Sequence, residues 1–208
     1  MWTAILVAAG ILFVVFTTAG FYASRYKKVG PNRVLVISGR RREMINPVTG
    51  NQERVGFRVV KGGGSFIIPV LERVDILSME ILTIEVEVRS VYTVEGVPVD
   101  TDGVAQIKIR GEDVSIYTAA EQFLSKGPDG IVYVAHETLA GHLRGILGML
   151  TVEEIYKDRD AFAQKVLEVS GSDLVNMGLE IVYFVIQDIR DDKQYSESLR
   201  GNSPHKDK

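Results

Sequence analysis

The chain has 208 residues, 24 of them basic and 27 acidic, with a net charge of −3 and no cysteine. That length suits one domain or two small packed subdomains beside a membrane segment, and the lack of cysteine excludes disulfides, thiol catalysis, Cys-type zinc sites and S-palmitoylation. Charge is unevenly spread: residues 25–61 hold ten basic and two acidic residues, +8, which leaves −11 elsewhere. A basic zone of this kind suits anionic lipid headgroups, whereas the acidic bulk opposes nucleic acid.

The first element is an apolar run without charge from Trp2 to Ala23, WTAILVAAGILFVVFTTAGFYA. At about 1.5 Å per helical residue it reaches across a hydrocarbon core of about 30 Å. Trp2 and Tyr22 mark its two ends, where amphipathic rings favour the interface, and Arg25, Lys27 and Lys28 follow at once. The positive charges come after the run, so a retained single-pass anchor is expected over a cleavable signal peptide. The same flank predicts that everything after Lys28 faces the cytoplasm. Trp2, Tyr22, Arg25, Lys27, Lys28 and the triplet Arg40, Arg41, Arg42 are the candidate membrane and lipid contacts.

Arg33–Gly39 reads as a buried strand closed by glycine, and Arg40–Arg54, with Asn46-Pro47 and Thr49-Gly50-Asn51, as a loop. Gly62-Gly63-Gly64 reads as a turn, because a phosphate-binding loop needs a following lysine and helix that are not there. Ile84, Val86 and Val88 alternate with Glu85, Glu87 and Arg89, and Ala105, Ile107 and Ile109 with Gln106, Lys108 and Arg110, the period-two pattern of half-buried strands. A two-residue turn at Glu95-Gly96 would set Ile84 opposite Ile107 and Val86 opposite Ala105, with Glu85 diagonal to Lys108. The turn-like Asp100–Gly103 stretch is a candidate bulge.

From Asp113 the period becomes helical. A short helix is expected over 113–124 and a turn over 125–130. A long helix over 131–150 would turn Val132, Ala135, Leu139, Leu143, Ile146 and Leu150 to one side. Thr151-Val152-Glu153-Glu154 matches a capping box. Asp158 opens a further helix with Phe162, Val166 and Val169 inward, stopped at Asn176-Met177-Gly178. Leu179–Ile186 returns to strand, and the tail from Asp191 is polar.

Chemistry is sparse. His136-Glu137 and His142 suggest a zinc signature, but ligands on one helix face need a spacing of four and these are six apart. Glu153, Glu154, Asp158 and Asp160 are explained by helix starts. Asp188, Asp191 and Asp192 suit a polar strand exit better than a calcium site. No nucleophile, base and orienting group converge, so no catalytic, cofactor or metal residue is assigned and an enzyme is not expected.

Five ordered blocks carry a family resemblance: Tyr92–Val99, Gly103–Ile109, Glu137–Arg144, Thr151–Arg159 and Ser172–Gly178. Over about Val29 to Leu199 the chain resembles flotillin and, more broadly, the SPFH or band 7 proteins that include stomatins and prohibitins. The resemblance implies an α+β fold, an SPFH/band 7 domain made of an antiparallel sheet subdomain and a strand/helix subdomain, after the single N-terminal transmembrane helix. The expected organisation is an anchor and basic flank over 1–28, the SPFH domain over 29–190 and a polar tail over 191–208, where the family continues into a coiled coil. The bacterial flotillin-like type, with a span in place of acylated cysteines, is the nearer pattern.

Implied with it is a cell-membrane scaffold that self-associates and organises membrane microdomains. Its partners would be membrane lipids, further copies or longer SPFH proteins, and client membrane proteins, with no cofactor and no nucleic acid. The alternatives are an adaptor or regulator of a membrane protease or other membrane enzyme, and an anionic-lipid-binding module.

Overall fold

The uncharged apolar run forms helix α1, Trp2–Ser24. In the computed structural model residues 2–45, 52–68 and 70–191 are described, the side chains at 3–5, 8, 40–45 and 52–55 excepted. The chain divides into two units, Met1–Ser78 and Met79–Lys208.

In the first unit α1 is followed by a three-stranded antiparallel sheet of order β2-β1-β3, formed by β1 (Tyr26–Ile45), β2 (Gln52–Phe66) and β3 (Arg73–Ser78). Val34, Leu35, Val36 and Ile37 are all buried, as a continuous apolar run on a central strand covered on both faces should be. Leu35 and Ile37 pack with Ile67 on one side, joined by the partly buried Val29, Val60 and Val74. On the other side Val34 stands opposite the buried Leu77.

Two sequence readings are corrected here. The expected loop over 40–54 is largely strand, because β1 runs through Gly39 to Ile45 and pairs from Arg42↔Val55 to Ile45↔Gln52. Backbone hydrogen bonding between neighbouring strands needs no apolar period, which is why the polar sequence concealed it. The expected turn at Gly62-Gly63-Gly64 lies inside β2, beside a register shift between Val29 and Val34 of β1. The glycines serve a bulged ladder there instead of reversing the chain.

The second unit is a sheet of order β4-β5-β6, all antiparallel, from β4 (Leu82–Tyr92), β5 (Pro98–Ile109) and β6 (Leu179–Asp191). Every second residue of β5 from Val99 to Ile109 is buried. The inner face carries Ile84, Val86, Val88, Ala105, Ile107 and Ile109. Between β5 and β6 come α2 (Asp113–Phe123), α3 (Gly127–Leu147), α4 (Val152–Lys157) and α5 (Arg159–Asn176). Helix α3 lies against β4, and α5 against β6 and α3. Fully buried Ile107, Leu139, Leu143 and Leu174 each contribute about 1.5–3 kcal/mol of apolar transfer.

The β4–β5 hairpin is present with a different register. Leu82 stands opposite Ile107, Ile84 opposite Ala105 and Val86 opposite Gly103, and Glu85 faces Val104. Its loop has three residues: the Thr93 N–H donates to Val97 O, and the Gly96 N–H to Thr93 O with Gly96 at φ +76°. That loop moves the pairing by one residue, and a bulge between Val88 and Val91 moves it by one more. The bulge sits on β4, across from Asp100. Two slips of one residue restore the parity, so the expected side chains face the core with different partners.

The capping box is complete: Thr151 Oγ1 accepts from the Glu154 N–H at 3.2 Å, and Glu154 Oε2 from the Thr151 N–H at 2.9 Å. Asp158 caps α5 by accepting from the Ala161 N–H at 2.9 Å. Helix α3 starts at Gly127, with Pro128 in its first turn, earlier than the expected Ile131. On α5 Phe162 and Val166 point inward as expected, but Val169 is half exposed and Ser170 is buried in its place, its hydroxyl donating to Val166 O. A satisfied hydroxyl is why a serine can hold that core position.

Candidate membrane-contact site

The candidate site is the join between α1 and the first sheet. Helix α1 has 23 residues and no charge, and leucines, valines and phenylalanines around its circumference are exposed, Leu12 and Phe16 at 71% and 79%. A helix apolar all round needs an apolar environment on every side. Its internal polar groups are satisfied locally: Thr17 Oγ1 donates to Phe13 O at 2.9 Å and Thr18 Oγ1 to Val14 O at 2.7 Å. Such bonding is what hydrocarbon demands of a hydroxyl. Among the described residues no helix is long and apolar enough to cross a membrane; the side chains at 3–5 and 8 of α1 lie outside them.

Trp2 and Tyr22, both largely exposed, stand near the two ends of α1, about 30 Å apart along its axis. At the C-terminal end the Arg25 guanidinium lies 4.7 Å from the centre of the Phe21 ring, a cation–π contact, and Phe21 meets Tyr22 edge-on at 6.4 Å. The Ile67 N–H donates to Arg25 O at 3.2 Å, which brings the far end of β2 beside the helix exit. Tyr26 then packs on Phe66 with ring centres 5.1 Å apart. The pairs Phe21–Tyr22 and Tyr26–Phe66 thus make an aromatic girdle around the exit of α1, in the same stretch of chain as Arg25, Lys27 and Lys28. Arg40, Arg41 and Arg42 have backbones in β1, but their side chains lie outside the described residues.

Sequence reasoning missed the segment after β2. Phe66, Ile68, Val70 and Leu71 are exposed, Val70 at 92%, while Ile67 between Phe66 and Ile68 is buried. The run Phe66–Leu71, apolar apart from a proline, was a legible signal, but nothing in it separates a core loop from a surface one. Glu72 holds the segment in place: it is buried, accepts from the Ile68 N–H at 3.2 Å and lies 3.6 Å from the Arg58 Nη2.

Of the residues considered for metals, His136, Glu137, His142, Asp188 and Asp191 are engaged with other side chains. His136 Nδ1 lies 3.1 Å from Glu137 Oε1 and His142 Nε2 2.8 Å from Asp173 Oδ2 on α5. Arg190 bonds Asp188 at 2.7 Å and Asp102 at 2.8 Å. The hydrogen bond from Arg190 holds the Asp188 carboxyl below the usual range. Asp191 Oδ1 accepts from Tyr156 OH at 3.2 Å, and burial, aided by the Asp191 charge, pushes that phenol up. Asp192 lies outside the described residues, and among those described no three metal-ligating side chains cluster.

Comparison with known proteins agrees with the blocks quoted from the sequence. The chain is 41% identical over 198 residues to the flotillin-like protein FloT of Bacillus subtilis, covering 94% of this chain and 38% of that protein. It is 43% identical over 171 residues to flotillin-1 of Drosophila melanogaster and 42% identical over 171 to that of Homo sapiens, covering 82% of this chain and 37% of each of them. The chain therefore spans less than two fifths of the length of these relatives. Residues 27–202 match the SPFH domain / Band 7 family, and with those residues making up most of the chain, the protein belongs to that family and is a flotillin-like member of it.

Proposed function

We propose that this chain is a membrane-anchored flotillin-like scaffold whose α1 spans the bilayer once, with the residues after Lys28 on the cytoplasmic side. The observation that carries the reading is α1 itself: an uncharged helix, apolar on all sides, ending in an aromatic girdle and three cations. A helix of that length reaches about 34 Å, against a hydrocarbon core of about 30 Å. Residues 1–28 act as anchor and flank, and the two sheets and four helices after them form the domain that meets other copies, longer relatives or client membrane proteins. The flotillin relatives support a role in organising the membrane laterally, without catalytic chemistry.

Because the chain has no cysteine, single cysteines at Thr18 and at Asp113 test the topology in vesicles prepared right side out and inside out. Expected is no labelling of the Thr18→Cys variant by a membrane-impermeant maleimide on either side, with labelling of Asp113→Cys only when the cytoplasmic face is outward. Labelling of both in both preparations, or release of the protein by alkaline carbonate, would refute the span. Assembly is tested by the native mass of the full chain in mild detergent beside a version beginning at Val29. A discrete large species of the full chain supports the scaffold, and a monomer in both cases opposes it.

A further inference from the structure

Where α1 ends, the first unit has a solvent-open cavity of about 280 Å³ lined by Ser24, Arg25, Lys27, Ile67, Glu72 and Val74. Its chemistry is two-sided. One part is cationic: Arg25 and Lys27 line it, and among the described residues the Arg25 Nε is buried with no hydrogen-bond partner. The other part only accepts. Ser24 Oγ already donates its proton to Phe21 O at 2.9 Å, which leaves its lone pairs toward solvent or ligand. Glu72 is a carboxylate acceptor whose charge is balanced by Arg58 and the Ile68 N–H. Ile67 and Val74 are the apolar lining.

We propose that this cavity is a lipid headgroup pocket for an anionic phosphodiester bearing hydroxyl groups, a phosphoglycerol headgroup. The phosphate oxygens accept from Arg25 and Lys27, and the glycerol hydroxyls donate to Ser24 Oγ and Glu72. Arg25, Lys27 and Glu72 leave one net positive charge, to which Arg58 behind Glu72 adds another, so an anionic headgroup is favoured over a zwitterionic one. A choline headgroup has no proton to donate to the accepting wall. Position agrees with chemistry: Ser24 is the last residue of α1, so on the membrane reading above, on which this inference rests, the pocket lies at the depth of lipid phosphates.

The test is native mass spectrometry of the full chain in mild detergent, offered equal amounts of phosphatidylglycerol, phosphatidylmethanol and phosphatidylcholine. Phosphatidylmethanol has the same charge as phosphatidylglycerol and no hydroxyl. Expected is retention of phosphatidylglycerol over phosphatidylcholine by about fivefold or more, as one well-placed charge gives, with phosphatidylmethanol in between. Lys27→Gln and Lys28→Gln remove the same charge from neighbouring positions, but only Lys27 lines the cavity. Lys27→Gln should lower retention about fivefold, and Lys28→Gln less than twofold.

Equal losses in the two variants, or no difference between phosphatidylglycerol and phosphatidylmethanol in the unaltered chain, would overturn the pocket. The latter comparison needs no variant to fold. Millimolar glycerol phosphate should leave the lipid bound; its displacement of the lipid would assign the site to a soluble phosphate ester and overturn the lipid assignment. If the unaltered chain partitions into no vesicle at all, the membrane reading fails with the pocket, whereas partitioning with equal losses removes the pocket alone.

Discussion

The Ser90 N–H donates to the Asp100 carboxylate Oδ1 at 2.7 Å across the β4–β5 ladder, with Ser90 at φ 52°. The bond closes the bulge that lets β4 regain its register parity, and so it links a polar outer residue to the burial of Ile84 and Val86 on the inner face. Asp100→Ala is expected to lower stability by about 1 kcal/mol, the usual net worth of one hydrogen bond at a partly exposed site. Asp100→Asn, which keeps the acceptor, should lose little. Guanidinium unfolding of the full chain in detergent, followed by circular dichroism, separates the two. Equal midpoints for Asp100→Ala and the parent chain would show that the turn alone sets the register.

Gly39 in the middle of β1 has φ +119°, and a Cβ placed there would press well inside van der Waals contact of Leu71 O. Both the backbone conformation and the close approach therefore exclude a side chain, and Gly39→Ala is expected to cost at least about 2 kcal/mol. Because Leu71 belongs to the exposed apolar segment after β2, the displacement should also raise proteolysis at 66–72. A thermal melt and limited proteolysis check the two parts together.

The Glu154 carboxylate is held below the usual range, first by the hydrogen bond from the Thr151 N–H and then by that from its hydroxyl. A carboxyl whose folded pKa is depressed contributes stability above its unfolded value, near 4.3, and loses it as pH falls through the folded value. The stability of α4 should thus be level from pH 7 to about 5 and decline below about 4.3. Glu154→Gln should reduce that acid decline while leaving the midpoint at pH 7 lower than the parent's, since the amide accepts less strongly. An unchanged acid slope in the variant would assign the decline to other carboxylates, Asp188 with its Arg190 partner first among them.

How much of this was legible follows the kind of signal each element carries. The capping box, the Asp158 cap and the stop at Met177-Gly178 were readable because each is a local bond between neighbours in sequence. The parity of β4 and β5 was readable from the alternation of Ile84 and Ile107 with polar neighbours, but the partners were not. Register depends on loop length and on the Ser90 bulge, and neither leaves an apolar pattern. Polar residues of β1 and β2 hid strands, because their pairing is made by backbone groups that every residue possesses. At the candidate site the helix and its cations were plain, whereas the girdle needed Tyr26 and Phe66, forty residues apart, to be placed side by side.

The exposed segment after β2 carries the last prediction. Ile68, Val70 and Leu71 follow Phe66 in the chain with exposed side chains, and apolar side chains that reach a membrane interface add to the hold of a basic flank. A version of the chain beginning at Arg25 should therefore still bind vesicles containing anionic lipid, more weakly than the full chain and in a salt-sensitive way. Ile68→Asp with Val70→Asp should cut its binding by about tenfold or more, since two apolar groups are lost and two negative charges face the lipid phosphates. Ile76→Asp, at an exposed apolar position on β3, adds one of those charges outside the segment and should change binding less. Vesicle flotation at low and at physiological salt measures all three. If the double variant floats like its parent, the segment does not meet the membrane and the truncated chain binds through Arg25, Lys27 and Lys28 alone.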